Sequence, residues 1–339
     1  MKNYQYVMSL QPKVSMRTAI CFVTDAKGFE LTEHAAAIAA LTQETVRDIV
    51  VFCVDFSPEN KNDLINLGNN FGKNINYRTI SRDGVKASSN VTSTHVTGAA
   101  NMKLTALNEL SSDYERSLYI DSDIILVKNI DLEKINFRGR PIAAVYDIAK
   151  VGDIPNETFH RRCEETGRSP HYFNSGFIAV NYEHWDSDCL RLFNVEFERH
   201  RLSCDYSVNC GLQDQCVMNL VFEKNWARLP LTFNLQGCAI FSERWTQAAV
   251  RHYVGKGKFI PLKFLYNDSV DVGLINRARA ALGREGLGSA APDWMIHLNR
   301  FRHRRYKKII DNAITSVEMM FAEDFDEPGT APRHGGGTP

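Results

Sequence analysis

Short β-branched, apolar runs alternate with longer segments of helical spacing through the first half of the chain. Apolar runs bounded by polar residues are typical of buried strands, and the segments between them are long enough for helices. The alternation predicts βαβ units, and therefore an α/β fold with a mostly parallel central sheet flanked by helices. The predicted strands cover residues 18–24, 48–55, 76–80 and 116–121, and the predicted helices 32–41, 58–67 and 97–110.

The pattern continues through the second half and loosens towards the C terminus. Strands are predicted over 141–146, 172–180 and 250–254, and helices over 188–200 and 210–222. Beyond residue 260 the pattern indicates separate helical pieces, and the last residues are rich in Gly, Pro and acidic side chains, which favours disorder. We therefore expect an N-terminal leader (1–16), an α/β domain (17–260), a helical extension (261–322) and a disordered tail (323–339).

Two carboxylates one residue apart, Asp121 and Asp123, interrupt the apolar run 119–127. Unpaired buried carboxylates are costly, so the pair requires a partner. If both follow the end of a strand, they lie on one side while Ser122 points away. Two oxygen ligands in that arrangement suit Mg²⁺ or Mn²⁺ with positions left open for a substrate diphosphate. The alternative for an isolated Asp-x-Asp is an ordinary turn after a strand.

Polar residues also follow the first predicted strand, where Thr24 and Asp25 end the apolar run. Ligands of parallel sheets gather beyond the carboxyl ends of the strands, so these residues and the carboxylate pair are expected to face one cleft. The sequence contains neither G-x-G-x-x-G nor a P-loop motif. Binding of a diphosphate would therefore depend on the metal.

Composition and charge narrow the class of protein. The 339 residues are 44% hydrophobic and 24% charged, as in ordinary globular proteins, and forty acidic residues balance forty basic ones. The chain has no net positive charge that would attract nucleic acid, so nucleic-acid binding is not expected. The chain shows no apolar stretch of the kind found in signal peptides or membrane spans. We expect a cytoplasmic protein.

Eight cysteines are spread along the chain without a C-x-x-C pair. This usage predicts reduced, mostly buried thiols. Cys204, Cys210 and Cys216 recur every six residues, but zinc motifs favour tighter pairs, so a zinc site is not expected from this spacing.

Three further clusters agree in order and spacing with the carboxylate pair, and together the four make residues 18–258 resemble glycosyltransferase family 8, the retaining enzymes of the GT-A fold. The most specific is the His-x-x-Gly-x-x-Lys spacing near residue 255. The segments that carry the resemblance are Leu118-Tyr119-Ile120-Asp121-Ser122-Asp123, Phe173-Asn174-Ser175-Gly176-Phe177, Asp214-Gln215 and His252-Tyr253-Val254-Gly255-Lys256-Gly257-Lys258.

The resemblance implies a GT-A fold and a metal-dependent transfer of a hexose from a UDP-sugar, UDP-glucose or UDP-galactose, to a hydroxyl of a saccharide or glycolipid acceptor. It also implies that His252 is a third metal ligand beside Asp121 and Asp123. A nitrogen ligand favours Mn²⁺, with Mg²⁺ as the alternative. From the residue alone, a surface histidine at a strand end is the other interpretation.

Two clusters are expected near the transferred sugar. Asn174, Ser175 and Gly176 offer amide and backbone donors suited to sugar hydroxyls, although a simple turn would also explain them. Asp214 and Gln215 look like the family's catalytic pair, facing the reactive side of the donor sugar. The alternative for the pair is helix capping by the aspartate.

Single residues complete the site that the resemblance implies. Asp147 looks like a position that receives sugar hydroxyls, and Asp25 like one that contacts uracil and ribose. Lys103 stands where the family usually has Arg, which keeps a charge but loses a bidentate fork. Lys258, with Gly255 and less surely Lys256, would lie over the diphosphate. The family's Lys-Pro-Trp is replaced by Lys-Phe-Ile-Pro after residue 257, so this wall of the site is expected to differ.

A basic, aromatic cluster occupies residues 300–310. Cations among aromatic and aliphatic side chains are typical of segments that bind anionic membrane surfaces, and the resemblance favours peripheral contact with the inner face of a membrane. A solvated helix face or a nucleic-acid patch are the alternatives.

Two other functions of the protein also stay open. One is a nucleotide-sugar or metal binding protein without turnover, and the other is a metal-dependent phosphohydrolase.

Overall fold

The computed structural model describes residues 16–59, 61–82, 99–152, 154, 158–208, 210–254, 269–289 and 292–326. The predicted leader, apart from Met16, and the tail beyond Asp326 lie outside these ranges. So do Gly255, Lys256 and Lys258, the predicted diphosphate contacts after the last strand.

A seven-stranded sheet forms the centre of the molecule, with strand order β3-β2-β1-β4-β7-β6-β8. Neighbouring strands run parallel except at β7, which is antiparallel to both β4 and β6. The predicted α/β fold with a mostly parallel sheet is confirmed. Its strands are β1 (Thr18–Thr24), β2 (Asp48–Val54), β3 (Asn74–Ile80), β4 (Arg116–Ile120), β6 (Ile142–Tyr146), β7 (Phe173–Asn181) and β8 (Trp226–Arg228).

A second, three-stranded sheet has the order β5-β10-β9. The apolar run 119–127 is therefore not one strand: β4 ends at Ile120, the chain turns, and β5 enters the small sheet. The amide of Ile124 donates to the carbonyl of Asp121 at 3.1 Å and closes this turn. The strands of the small sheet are β5 (Ile124–Leu126), β9 (Leu235–Gln236) and β10 (Val250–His252).

Helices cover both faces of the central sheet and supply most connections between its strands. Two predicted helices begin late, 58–67 at Asn62 and 210–222 at Gln213, while the predicted helix 97–110 opens with a 3₁₀ turn at Ala100–Met102. The α-helices are α1 (Phe29–Thr42), α2 (Asn62–Asn70), α3 (Lys103–Leu110), α4 (Ile148–Val151), α5 (Thr158–Thr166), α6 (Asp188–Leu202), α7 (Gln213–Val221), α8 (Arg244–Gln247), α9 (Ser269–Ala281), α10 (Asp293–Arg302) and α11 (Arg304–Asp326).

Helix α11 packs its apolar stripe against the α/β core. Ile310, Ala313, Ile314 and Val317 follow helical spacing and are all buried. The packing is close, because a Cβ added to Gly152 after α4 would lie 2.7 Å from that of Ala313. The helix continues through residues 323–326, so the prediction of disorder from residue 323 was wrong there. A regular helix in the preceding sequence extends without a break into the acidic residues.

Helix α9 is joined to β10 by a buried ion pair. Nη1 of Arg251 lies 2.7 Å from Oδ1 of Asp271, and the hydroxyl of Tyr253 donates to the other oxygen of the same carboxylate.

Among the described helices, none combines the length and hydropathy needed to cross a bilayer.

Candidate active site

The end of β4 and the last residue of β10 bring three metal-ligating side chains together. Asp121 and Asp123 lie in the turn after β4, and β5 then pairs antiparallel with β10 so that His252 stands opposite Ile124. The amide of Tyr253 also donates to the carbonyl of Asp123 at 2.9 Å. This strand register, rather than closeness in sequence, places the histidine beside the carboxylates.

The geometry of the three side chains fits a divalent cation. Nε2 of His252 lies 3.1 Å from Oδ1 of Asp123 and 4.0 Å from Oδ2 of Asp121. Adjacent ligands of an octahedral ion at about 2.1–2.2 Å stand roughly 3 Å apart, so small adjustments suffice for coordination. His252 and Asp123 are buried while Asp121 is partly exposed, which leaves one side open to a substrate. His252 is thus not a surface histidine.

A chain of amides orients the imidazole of His252. Its Nδ1 lies 3.1 Å from Oδ1 of Asn234, whose own Nδ2 donates to Oδ1 of Asn174 at 3.0 Å. Because this assignment makes the Asn234 oxygen the acceptor, Nδ1 of the ring carries the proton and Nε2 is left for the metal. The sequence motifs did not select Asn234 as a site residue, because it is a lone amide between a 3₁₀ turn and a two-residue strand.

Gly176 leaves room for the imidazole of His252. A Cβ at this position would overlap Cε1 of His252 and lie 2.9 Å from Oδ2 of Asp121. The amide of Asp121 donates to the Gly176 carbonyl at 2.8 Å, so the two backbones are tightly coupled. Asn174, Ser175 and Gly176 belong to β7, not to a turn, and its register against β6 shifts here. Such irregularities are common beside active sites.

Lys103 connects the metal-ligating group to Asp214. Its Nζ is buried, 3.1 Å from Oδ1 of Asp121 and 2.8 Å from Oδ2 of Asp214, and also donates to Oγ of Ser175 at 3.2 Å. Burial disfavours the charged ammonium, but the negative charges of Asp121 and Asp214 outweigh that cost and raise the pKa of Lys103 above its ordinary value. One cation therefore pairs with two carboxylates for which the sequence motifs predicted different roles.

Tyr119 is a second residue without a sequence-based role. Its hydroxyl donates to Oδ1 of Asp121 at 2.5 Å. Burial, reinforced by the nearby carboxylate of Asp121, raises the pKa of Tyr119 well above its ordinary value, so the phenol stays protonated and fixes that oxygen. The other oxygen of Asp121 is the one nearer His252.

Asp214 and Gln215 point into the same interior from the first turn of α7. Leu212 is the N-cap residue and makes no side-chain cap hydrogen bond, so Asp214 is not the cap that the alternative required. Its Oδ2 instead accepts from Oγ of Ser175 at 3.3 Å as well as from Lys103. Gln215 accepts from the amide of Ser175 at 3.1 Å. Strand β7 and helix α7 are thereby locked together.

Asp147 follows β6, and its two carboxylate oxygens accept hydrogen bonds from different parts of the structure. Oδ1 caps helix α4 by accepting from the amide of Lys150 at 3.0 Å. Oδ2 accepts from the amides of Gln215 at 2.9 Å and Asn174 at 3.1 Å. The carboxylate is buried, so it organises the two amide side chains that surround it.

Thr24 is the last residue of β1 and Asp25 follows it. Because β1 pairs in parallel with β4, this segment reaches the same sheet edge as Asp121. Asp25 is partly exposed and its Oδ1 accepts from the amide of Gly28 at 2.9 Å. Helix α1 connects this edge to the carboxylate pair, since Oγ1 of Thr32 lies 2.7 Å from Oγ of Ser122. The hydroxyl of Ser122 therefore contacts helix α1, although residues 121–123 form a turn and not a continuation of the strand.

An α/β fold of this topology, with an Asp-x-Asp turn and a distant histidine at the carboxyl edge of the sheet, defines the GT-A class of nucleotide-sugar transferases. The family description "Glycosyl transferase family 8" matches residues 21–259, and the chain belongs to this family. The resemblance in sequence motifs is thereby confirmed.

Curated relatives agree with this assignment. The chain is 33% identical over 122 residues to Glycosyltransferase GlyB of Streptococcus pneumoniae, covering 35% of this chain and 24% of GlyB. It is 25% identical over 199 residues to General stress protein A of Bacillus subtilis, covering 56% of this chain and 64% of that protein. The matches thus span a quarter of the first relative and less than two thirds of the second.

Solved structures share the fold. The galactosyltransferase LgtC, solved in complex with donor and acceptor sugar analogs, aligns with a TM-score of 0.55 at 20% identity over 81% of this chain and 98% of LgtC. The bifunctional glycosyltransferase WbbM aligns with a TM-score of 0.56 at 18% identity over 81% of this chain and 53% of WbbM.

Proposed function

We propose that this protein is a retaining hexosyltransferase that uses Mn²⁺, with Mg²⁺ as a weaker substitute, to transfer a hexose from a UDP-sugar to a saccharide or glycolipid hydroxyl. The observation that carries the proposal is the buried ammonium of Lys103, which joins Asp121 of the metal-ligating group to Asp214 at 3.1 Å and 2.8 Å. A diphosphate bound through a metal and a sugar held beside Asp214 would therefore be neighbours, as transfer from a nucleotide sugar requires.

The residues divide the work of the reaction. A divalent ion held by Asp121, Asp123 and His252 would act as the Lewis acid that stabilises the leaving diphosphate. Asp214, Gln215, Asn174 and Ser175 would orient the sugar hydroxyls, and Thr24 and Asp25 would contact the nucleoside at the neighbouring strand end. Lys103 would hold the carboxylates of Asp121 and Asp214 in place through its two ion pairs.

A panel of UDP-sugars tests the proposal. With excess Mn²⁺, we expect slow release of UDP from UDP-glucose or UDP-galactose. EDTA should abolish release and added Mn²⁺ restore it. The measurement is UDP formed per enzyme, with and without a glucoside or galactoside acceptor.

Two other outcomes would replace the proposal. Tight UDP-sugar binding in calorimetry without UDP release with any sugar or acceptor would indicate a binding protein. Metal-dependent cleavage of simple phosphate esters, without preference for a sugar, would indicate a phosphohydrolase.

Front-face attack is the mechanism that we favour, because the leaving diphosphate can itself take the acceptor proton. Asp214 and Gln215 would then stabilise the transition state, and neither would become glycosylated. We expect roughly a 10–100-fold loss of transfer for both Asp214→Asn and Gln215→Ala, since each removes a polar contact worth about 1.4–2.7 kcal/mol. Transfer by each variant is measured against wild type with the same donor.

Mass spectrometry separates this mechanism from a covalent one. A glycosylated Asp214 peptide trapped with a slow donor would overturn front-face attack, because a covalent route requires a carboxylate nucleophile. The control is Asp188→Asn, an exposed aspartate on α6 paired with Arg191, which should transfer as wild type does.

Peripheral membrane contact is a second part of the proposal. Apolar side chains that are largely exposed lie on α10 and the start of α11: Trp294, Phe301, Tyr306 and Ile309. Exposed cations accompany them at Arg302, Arg304, Arg305 and Lys308. Aromatic rings beside arginines favour the interface of an anionic bilayer.

Vesicle flotation tests the membrane contact. Each basic residue at an anionic surface is worth about 1 kcal/mol, so Arg304→Gln/Arg305→Gln should weaken binding to phosphatidylglycerol vesicles by about 30-fold. The matched control removes Arg191 and Arg201, both on α6 and each paired with an acidic residue on the same helix. Equal binding of both double variants, or binding that ignores salt, would contradict the proposal.

A further inference from the structure

A second group of metal-ligating side chains lies outside the active site, where α6 ends and α7 begins. It consists of one imidazole and three thiols, His200, Cys204, Cys210 and Cys216, whose ligand atoms all lie within 4.8 Å of one another. The spacing of the cysteines did not predict this group of four side chains. The tight pairs of common zinc motifs are missing, and the histidine comes from the preceding helix.

The sulfur separations agree with tetrahedral coordination. Sγ of Cys216 lies 3.7 Å from that of Cys204 and 3.5 Å from that of Cys210. Four ligands at the zinc–sulfur distance of about 2.3 Å place neighbouring sulfurs about 3.8 Å apart. A disulfide would require a separation of about 2.05 Å, and all three cysteines are free thiols.

The surroundings of the group also suit a metal. His200 is only 7% exposed, and its Nε2 has no hydrogen-bond partner in the described part of the structure. The sulfurs have polar neighbours of the kind that stabilise thiolates: the amide of Tyr206 donates to Sγ of Cys204 at 3.4 Å, and the hydroxyl of Tyr172 lies 3.1 Å from Sγ of Cys216.

We propose that His200, Cys204, Cys210 and Cys216 bind one zinc ion in a closed structural site. Three thiolates and an imidazole favour zinc over the hard cations that carboxylates prefer. All four tetrahedral positions are filled by protein ligands, so no open position is left for a substrate.

The position of the site suggests its task. The zinc would join the last turn of α6, the loop after it and the first turn of α7. Hydrogen bonds between Arg199 and Asp205 already connect α6 to the loop. Cys216 directly follows Asp214 and Gln215. The zinc would therefore hold α7 in the orientation that directs these two side chains at Lys103 and Ser175. That last step rests on the proposed transferase function, whereas the zinc site itself does not.

Metal content of the purified full chain is the first test. We expect about one zinc per chain from zinc-supplemented expression, lost on treatment with a mercurial and regained when excess thiol removes the mercurial and Zn²⁺ is added. Cys204→Ser and His200→Asn should lower zinc affinity by more than about 100-fold. Cys189→Ser, a buried thiol on α6 outside the group, is the matched control and should keep its zinc.

Cobalt substitution of the wild-type chain covers the case in which the variants fail to fold. Co²⁺ in this site should give thiolate charge-transfer bands and the intense visible absorption of tetrahedral cobalt, which a site of two aspartates and a histidine cannot give. Asp123→Asn should keep both the zinc and the cobalt spectrum. No zinc or cobalt uptake by the fully reduced chain, or loss of zinc in Asp123→Asn but not in Cys204→Ser, would overturn the proposal. None of these readouts depends on transferase activity.

Discussion

Asp123→Asn is expected to abolish metal-dependent UDP release, with a loss of about 1000-fold or more. The substitution keeps the shape of the side chain but removes the charge that faces His252 at 3.1 Å. Loss of the metal from a leaving diphosphate costs several kcal/mol of transition-state stabilisation, and about 4 kcal/mol corresponds to this factor. The measurements are Mn²⁺ affinity by electron paramagnetic resonance and UDP release at saturating Mn²⁺.

Asp121→Asn provides the informative comparison for this prediction. Asp121 also pairs with Lys103 and accepts from Tyr119, so its loss should lower the melting temperature as well as Mn²⁺ affinity. Breaking a buried ion pair from one side typically costs about 3–5 kcal/mol, with less expected here because Asp121 is partly exposed. Turnover by Asp123→Asn within tenfold of wild type, in a folded protein, would contradict the metal site.

Gly176→Ala is expected to damage the candidate metal site by steric overlap. The new Cβ would overlap the ring of His252 and crowd Oδ2 of Asp121, and both neighbours are fixed by hydrogen bonds. Overpacking of a buried position costs about 1–3 kcal/mol of folding stability. Because the displaced ring loses its orientation by Asn234, Mn²⁺ affinity should fall by about 10–100-fold.

Gly273→Ala is the matched control. Gly273 lies inside α9, no described atom is within 4 Å of an added Cβ, and helices favour Ala over Gly by about 1 kcal/mol. This variant should melt at or slightly above the wild-type temperature and bind Mn²⁺ normally. Wild-type Mn²⁺ affinity in Gly176→Ala would show that the histidine is not held in place by this contact.

Strand positions followed well from the sequence, because buried parallel strands are continuous apolar runs. The first strand was predicted at its observed bounds, Thr18–Thr24. Helix starts were predicted less well, and α7 begins three residues later than expected, at Gln213. No local signal marks its N-cap, since Leu212 makes no capping bond, and packing of Asp214 and Gln215 against β7 decides where the helix begins.

The candidate site, like the fold, was predicted only in part from the sequence. Motifs in the sequence are sufficient to select Asp121, Asp123 and His252, and the structure brings the three together. The roles assigned to Asp214, Gln215, Asp147, Asn174 and Asp25 stay predictions until variants are measured. Asn234 and Tyr119 could not be selected, because their importance comes only from the side chains that they contact.

The sequence by itself determined the fold class, the family and the residue types of the candidate metal site, because apolar periodicity and motif spacing are local properties of the chain. Only the tertiary structure decided how these residues work together. The pairing of β5 with β10 placed His252 beside the carboxylates, and burial placed Lys103 between Asp121 and Asp214. The tertiary structure also brought His200 and three cysteines, separate along the chain, close to one another. Such contacts join residues distant along the chain, so local spacing carries no record of them.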